Sequence, residues 1–164
     1  MPESLAHGHY RRDHDAADPE QALADLMAGQ VEHPTPVFGA YEVVSQQQAG
    51  LLTVTGVYGT VLSPVTARDE FLQILDRRDN EPRTVSGPRT ITPPGSQEPL
   101  QCRVIYVTHP DVGDHGWDAE CTWADAATVA TVREVLLSKV RPDDVDLDAL
   151  AREVNAIRND VRAS

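Results

Sequence analysis

The sequence predicts an α+β domain, in which a mainly antiparallel sheet of about four to six strands is packed by two or three helices in two layers. Segments 51–62 and 100–108 are dominated by β-branched and aromatic residues, which favour strands. Segments 63–78 and 144–162 carry apolar residues at helical spacing and begin with capping residues. These two patterns indicate helices that can each cover a face of the sheet.

The chain has 164 residues, a length that fits one folded domain. Residues 1–17 are rich in histidine and charged side chains, so we expect them to form a flexible acidic tail. Residues 18–36 are expected to form a short helix, with Asp18 as N-cap and Pro19 in its first turn, followed by a proline linker. The α+β domain is then expected to span residues 37–164.

Other strands are predicted from their content of valine, threonine and aromatic residues at 40–45, 115–123 and the first half of 127–137. The valines of 127–137 also fit helical spacing, but the Thr and Val content favours a strand. Residues 79–99 are rich in proline and glycine, which predicts a connection with a short edge strand near 83–85 or 90–92.

The helix predicted for 144–162 carries one apolar stripe, formed by Leu147, Leu150, Val154, Ile157 and Val161. This stripe is too short for a free-standing coiled coil, so another surface must cover it. We expect the sheet of the same chain to cover it, which makes the protein a monomer. The alternative is a dimer formed through residues 144–162.

The net charge is −12, from 26 acidic and 14 basic residues. This charge repels phosphate backbones and anionic lipids, so we expect neither nucleic acid nor a membrane surface as a partner. The sequence shows no signal peptide and no apolar run that predicts membrane insertion. As written, the chain is expected to be cytoplasmic.

Cys102 and Cys121 are the only cysteines. If the strands on either side of 109–114 pair as a hairpin, Cys102 lies opposite Cys121, and Tyr106 lies opposite Trp117. The Cα atoms of directly opposed residues are close enough for a disulfide, which we therefore predict. The alternative is a pair of reduced, buried thiols.

The sequence contains no recognisable catalytic constellation, and it predicts no catalytic residue, no metal site and no cofactor. The acidic residues around Cys121 would raise the pKa of a thiol there, which disfavours a nucleophilic cysteine. The same acidic residues are a weaker candidate for cation binding, because their spacing does not match a known calcium loop.

The acidic hairpin tip is the candidate interaction surface, formed by Asp111, Asp114, His115, Trp117 and Asp118. Trp117 and Trp123 face the same side of their strand as Cys121, because side chains alternate along a strand. Packing in the core against the disulfide is the expected role of both tryptophans, and an exposed aromatic surface is the alternative.

Several motifs between residues 37 and 162 occur in the order found in one group of proteins. They are Phe38-Gly39-Ala40-Tyr41, Val57-Tyr58-Gly59, the sequence C-x-W-A-D from Cys121 to Asp125, and a final helix rich in Leu and Arg. In these motifs the chain resembles poorly characterised actinobacterial proteins of the Streptomyces type, which are membrane-anchored or exported.

The resemblance implies a small extracytoplasmic domain with a structural disulfide, and it implies no activity. This chain differs from the group because its sequence shows no transmembrane helix and because its 109–116 loop is more acidic.

Two functional hypotheses follow. The first is a non-enzymatic interaction or sensory module that binds an unknown protein or small ligand through its sheet or acidic hairpin. The alternative is an enzyme of an unrecognised type. A deep pocket with convergent polar groups and perturbed pKa values would favour the enzyme. An exposed apolar or aromatic patch would favour the binding module.

Overall fold

An antiparallel sheet of eight strands organises the residues that the computed structural model describes, which are 1–15, 20–44, 50–109, 114–136 and 141–163. The strands are β1 Ser4–Leu5, β2 Tyr10–Asp13, β3 Val31–Val43, β4 Leu51–Val61, β5 Arg83–Ile91, β6 Leu100–His109, β7 Asp114–Ala124 and β8 Thr128–Val135. The α-helices are α1 Gln21–Met27, α2 Pro64–Arg78 and α3 Leu147–Arg162. The predicted α+β class is confirmed, with more strands than expected.

The strand order is β1-β2-β3-β4-β8-β7-β6-β5, and all neighbours are antiparallel. Each half of the sheet is a meander of consecutive strands, and the halves join where β4 pairs with β8. Helix α2 connects β4 in the middle of the sheet to β5 at its edge. The strands predicted at 51–62, 100–108 and 115–123 and the helix predicted at 63–78 are confirmed.

Each face of the sheet has its own apolar core, because side chains alternate along every strand. Helix α3 packs on one face, over a core that includes Val54, Cys121 and Trp123. Helices α1 and α2 pack on the other face, over a core that includes Val57 and Val129. Each helix therefore forms the predicted two-layer packing with the face that it covers.

The β6–β7 hairpin has the predicted register. Cys102 pairs with Cys121 and Tyr106 pairs with Trp117. The predicted disulfide joins the two cysteines, whose Cα atoms are 4.1 Å apart. Both cysteines are fully buried beneath α3.

The stripe on α3 is covered by the sheet of the same chain, as predicted. Leu147, Leu150, Val154 and Ile157 are buried in the core of that face, and Val161 packs against it. The Asp146 side chain caps the helix, since it accepts hydrogen bonds from the N–H groups of residues 148 and 149, each at 3.0 Å. A dimer through this stripe would have to displace the contacts that bury it.

The prediction of a flexible tail at residues 1–17 is wrong for the described residues 1–15. Strand β2 pairs with β3, and Leu5 and Tyr10 are at most 1% exposed. The Ala6 N–H donates to Asp160 at 2.8 Å, and the Tyr10 hydroxyl donates to Glu153 at 2.7 Å. Two well-placed apolar side chains anchor a segment whose polar composition is typical of disorder.

The linker predicted at 31–36 is also wrong, because these residues belong to β3. Among the described residues, strand β2 pairs only with residues 40–43, so no described strand covers this edge of the first half of β3, where proline is tolerated. The register also shifts between Glu32 and Thr35. The fold therefore begins well before Val37. The predicted helix at 18–30 is present as α1, and its predicted cap at 18–19 lies outside the described residues.

Replacing both cysteines by alanine should destabilise the domain by about 2–4 kcal/mol, because the unfolded chain loses a cross-link and the core loses two sulfur atoms. Urea unfolding of the variant and of the oxidised wild type measures the difference. Non-reducing mass analysis should show the link in the wild type. Equal stability of the two proteins would contradict the buried bridge.

Leu5→Ala should cost about 2–5 kcal/mol of unfolding free energy, because it removes a fully buried side chain and leaves a cavity. Ser4→Ala is the matched control, since Ser4 is exposed on the same short strand. Thermal unfolding should separate the two variants clearly. If both melted like the wild type, the amino-terminal segment would be a tail after all.

Candidate functional site

A charged network lies on the face of the sheet that carries α2. Glu120 is 1% exposed and accepts hydrogen bonds from Arg103 at 2.7 Å and from Arg133 at 2.8 Å. Arg103 also contacts Asp76 of α2 at 2.5 Å, and Arg133 contacts Asp79, just after α2, at 2.6 Å. The network ties the end of α2 to three neighbouring strands.

The charges in this network compensate one another. Burial alone would lower the pKa of Arg133, but the charges and hydrogen bonds of Glu120 and Asp79 outweigh it and raise that pKa. Arg103 shows the same balance, with Asp76 and Glu120 raising its pKa against the effect of burial. Removing one partner would leave a buried, uncompensated charge, and side chains engaged in this way are poor candidates for proton transfer.

Two residues of the predicted interaction surface, Trp117 and Asp118, lie on opposite faces of the sheet. Trp117 is partly buried against the α3 core and lies edge-on to Tyr106, with 6.0 Å between ring centroids. Asp118 is 1% exposed and faces the opposite side of the sheet. Asp114 and His115 lie in β7, and Asp111 is outside the described residues. Trp123 is fully buried in the α3 core, as predicted, whereas Trp117 only packs against the edge of that core.

A cleft of about 580 Å³, here called the Trp123 cleft, opens on the α3 face beside the end of α3. Its walls are formed by Met1, Val37, Tyr58, Gly59, Trp123, Ala127, Thr128, Val161 and Arg162. Most of these lining groups are apolar. The cleft thus combines strands from both halves of the sheet with the amino-terminal segment and the last turn of α3.

Small residues in the sheet leave space beside Trp123. Val37, Gly56, Ala130 and Trp123 lie in one row across four strands. A Cβ added at Gly56 would lie 2.5 Å from the Cβ of Ala130, so these two strands approach too closely for larger side chains. Helix α3 ends at Arg162, so no helix of the described residues covers the part of this row that borders the cleft.

Trp123 borders the cleft and carries a buried hydrogen-bond donor. Its side chain is fully buried, and its Nε1–H has no acceptor among the described residues. A buried indole N–H usually has a partner, because leaving it unpaired costs desolvation energy. The buried N–H is therefore a feature of this site that the described structure leaves without a partner.

Arg162 stands at the mouth of the cleft, with 34% of its side chain exposed. Its Nη2 donates to Glu98 at 2.9 Å and to Asp125. Burial alone would lower the pKa of Arg162, but these two carboxylates outweigh it and raise that pKa. Asp125 also accepts from the N–H groups of Ala127 at 2.8 Å and Thr128 at 2.9 Å, which fixes the β7–β8 turn.

The C-x-W-A-D motif was a signal for part of this site. Its cysteine forms the disulfide, its tryptophan lines the cleft, and its aspartate holds both the turn and Arg162. Tyr58, which is 49% exposed, belongs to another of the quoted motifs. Arg162 and Met1 were missed, because only the folded chain brings both ends of the sequence to this place.

The acidic side chains whose pKa values are raised lie outside the Trp123 cleft. Burial raises the pKa of Tyr10, and its hydrogen bond to Glu153 adds to this effect. Burial and the charge of Glu153 also raise the pKa of Glu134, against a smaller opposing effect of His9. None of these residues lines the Trp123 cleft.

Glu134→Gln should stabilise the protein more at pH 7 than near pH 4.5, the ordinary pKa of the carboxyl. The pKa of Glu134 is higher in the folded protein than its ordinary value of 4.5, so protonation of this carboxyl stabilises the fold. That stability is lost as the pH rises above 4.5 and through the raised pKa. Melting curves across this range test the prediction, with exposed Glu32→Gln as the control. A gain in melting temperature from Glu134→Gln that is the same at all pH values would contradict the prediction.

Comparison with protein-family models, with curated proteins and with solved structures gives no match to this chain. Among the helices in the described ranges, none has the length and apolar character needed to cross a membrane. Within the same ranges, no group of three or more His, Cys, Asp or Glu side chains is arranged to hold a metal ion.

Proposed function

We propose that this protein is a non-enzymatic sensory or binding module that takes a small organic ligand in the Trp123 cleft. The observation that carries the proposal is that Trp123, whose indole N–H has no acceptor among the described residues, lines this cleft. A ligand that accepts this hydrogen bond would recover the energy lost by burying the donor.

The size and lining of the cleft support a small ligand. Binding sites for small molecules typically measure about 300–1,000 Å³, with apolar walls and a few polar groups that fix orientation. Here the walls include Val37 and Val161, and the polar groups are those of Trp123, Arg162 and the hydroxyl side chains. This arrangement can hold and orient a ligand.

The alternative of an enzyme has less support. The cleft lining includes no carboxyl, histidine or cysteine side chain among the described residues, so the side chains that most often act as general acid or base are absent from this lining. The perturbed groups Tyr10 and Glu134 do not line the cleft, and the buried charges around Glu120 are compensated by arginines. Recognition of a ligand is the function that this geometry supports best.

We also propose that the module works outside the cytoplasm. Disulfides persist in oxidising compartments, and the Cys102–Cys121 bridge lies at the centre of the fold. The resemblance to exported actinobacterial proteins agrees with this location. Trapping thiols in intact cells tests it: oxidised cysteines support the proposal, and two reduced thiols contradict it.

Ala127→Trp should abolish ligand binding, because Ala127 is exposed and lines the cleft, so that a large side chain there fills it. Ala126→Trp is the matched control, since Ala126 is exposed next to it but is not among the lining residues. The uncharged dye N-phenyl-naphthylamine, which fluoresces in apolar sites, serves as the probe.

Saturable dye fluorescence is expected with the wild type and with Ala126→Trp, and none with Ala127→Trp. Equal binding by both variants would place the dye elsewhere. An absence of saturable binding to the wild type would overturn the proposal.

A further inference from the structure

We infer that the ligand of the Trp123 cleft is uncharged, with an apolar body and at most a small polar end such as a hydroxyl, carbonyl or ester group. This inference rests on the proposed function and deepens it by naming the class of ligand. It follows from the pairing of the charges at the mouth of the cleft and from the side chains that form its walls.

Arg162 offers no open edge to an anionic ligand. It is the only charged side chain among the described residues that line the cleft. A carboxylate binds a guanidinium through two neighbouring N–H groups, either on Nε and Nη2 or on the two Nη atoms. Both of these edges include Nη2, which already donates to Glu98 and to Asp125. The positive charge at the cleft is therefore already engaged by carboxylates of the protein.

The two carboxylates at the mouth of the cleft are paired as well. One oxygen of Asp125 accepts from two backbone N–H groups of the β7–β8 turn, and the other accepts from Arg162. Glu98 lies 2.9 Å from Nη2 of Arg162 and 3.5 Å from Nη1 of Arg158. Two positive and two negative side chains thus balance at the mouth, and a cationic ligand meets no unpaired carboxylate among them.

A charged ligand that entered the cleft would lose water and gain no partner of opposite charge. Burying a charge in apolar surroundings is costly unless the charge is paired and hydrogen-bonded. An uncharged ligand avoids this cost and gains free energy from contact with apolar walls such as Val37 and Val161. The net charge of −12 adds only a weak repulsion of anions, since it is screened beyond about 8 Å at physiological salt.

The uncharged polar groups of the walls suit one small polar end of a ligand. Tyr58 and Thr128 contribute hydroxyl groups, which can donate to or accept from a hydroxyl or carbonyl group. The described lining includes no amide side chain. A sugar, whose many hydroxyl groups all need hydrogen-bond partners, would lose more hydration than these walls replace. The body of the ligand is therefore apolar.

Octanol, octanoate and octylamine are suitable probes, because they share the same alkyl chain and are neutral, negative and positive at neutral pH. Binding is followed by the fluorescence of Trp123 in a Trp117→Phe background, where it is the only tryptophan. Octanol should bind at least about tenfold more tightly than either ion, because neither charge finds a partner in the cleft.

Glu98→Gln should raise the affinity for octanoate at least about threefold, because it removes one of the two carboxylates that engage Arg162. The affinity for octanol should not change, which also shows that the variant is folded. Glu42→Gln is the matched control, because Glu42 is exposed, does not line the cleft and changes the net charge by the same amount. Its affinities should equal those of the parent protein.

The possible results separate the inference from the proposed function. Octanoate or octylamine binding as tight as that of octanol would overturn the uncharged ligand, while the cleft remained a binding site. Equal octanoate affinity in Glu98→Gln and Glu42→Gln would also overturn the inference, because the paired charges would then not set the selectivity. Octanol binding that survives in Ala127→Trp would place octanol outside the cleft and overturn it too. If neither octanol nor the uncharged dye binds, the proposed function itself fails.

Discussion

The pairing of β6 with β7 decides which side chains face α3 and which face α2. In the observed register Cys102 lies opposite Cys121, and the disulfide holds the two strands in that alignment. A slip by one residue would turn every side chain of a strand to the other face. Trp123 would then leave the α3 core, and Glu120 would lose its place between two arginines. Both faces of the sheet therefore depend on this one register.

The two faces use the same sheet in different ways. On the α2 face, Glu120 accepts hydrogen bonds from Arg103 and Arg133, and Arg133 also donates to Asp79. These ion pairs hold the end of α2 on the sheet. On the α3 face, the apolar core is closed near the disulfide and opens beside Trp123, where the helix ends. We attribute structural support to the first face and ligand recognition to the second.

Local patterns were sufficient for much of the fold. The β-branched and aromatic residues of 100–108 and 115–123, with the short loop between them, predicted the hairpin and its disulfide. The apolar stripe of 144–162 predicted a helix buried on the sheet. The amino-terminal strands could not be predicted, because Leu5 and Tyr10 are isolated apolar residues in a charged segment and pair with strands far along the chain. The strand at 31–36 was hidden by its prolines, which only a free edge of the sheet makes acceptable. The sequence placed Trp123 in the core, but the missing acceptor for its N–H is a property of the folded structure.

The central claim is that the indole N–H of Trp123 lacks a partner until a ligand enters the cleft. A proton–nitrogen correlation spectrum shows the indole N–H groups of Trp117 and Trp123 as separate resonances, which the Trp117→Phe variant assigns. On addition of octanol, whose hydroxyl oxygen can accept a hydrogen bond, the resonance of Trp123 should move downfield as the hydrogen bond forms, while that of Trp117 stays in place. A Trp123 resonance that does not change at saturating octanol would contradict the account.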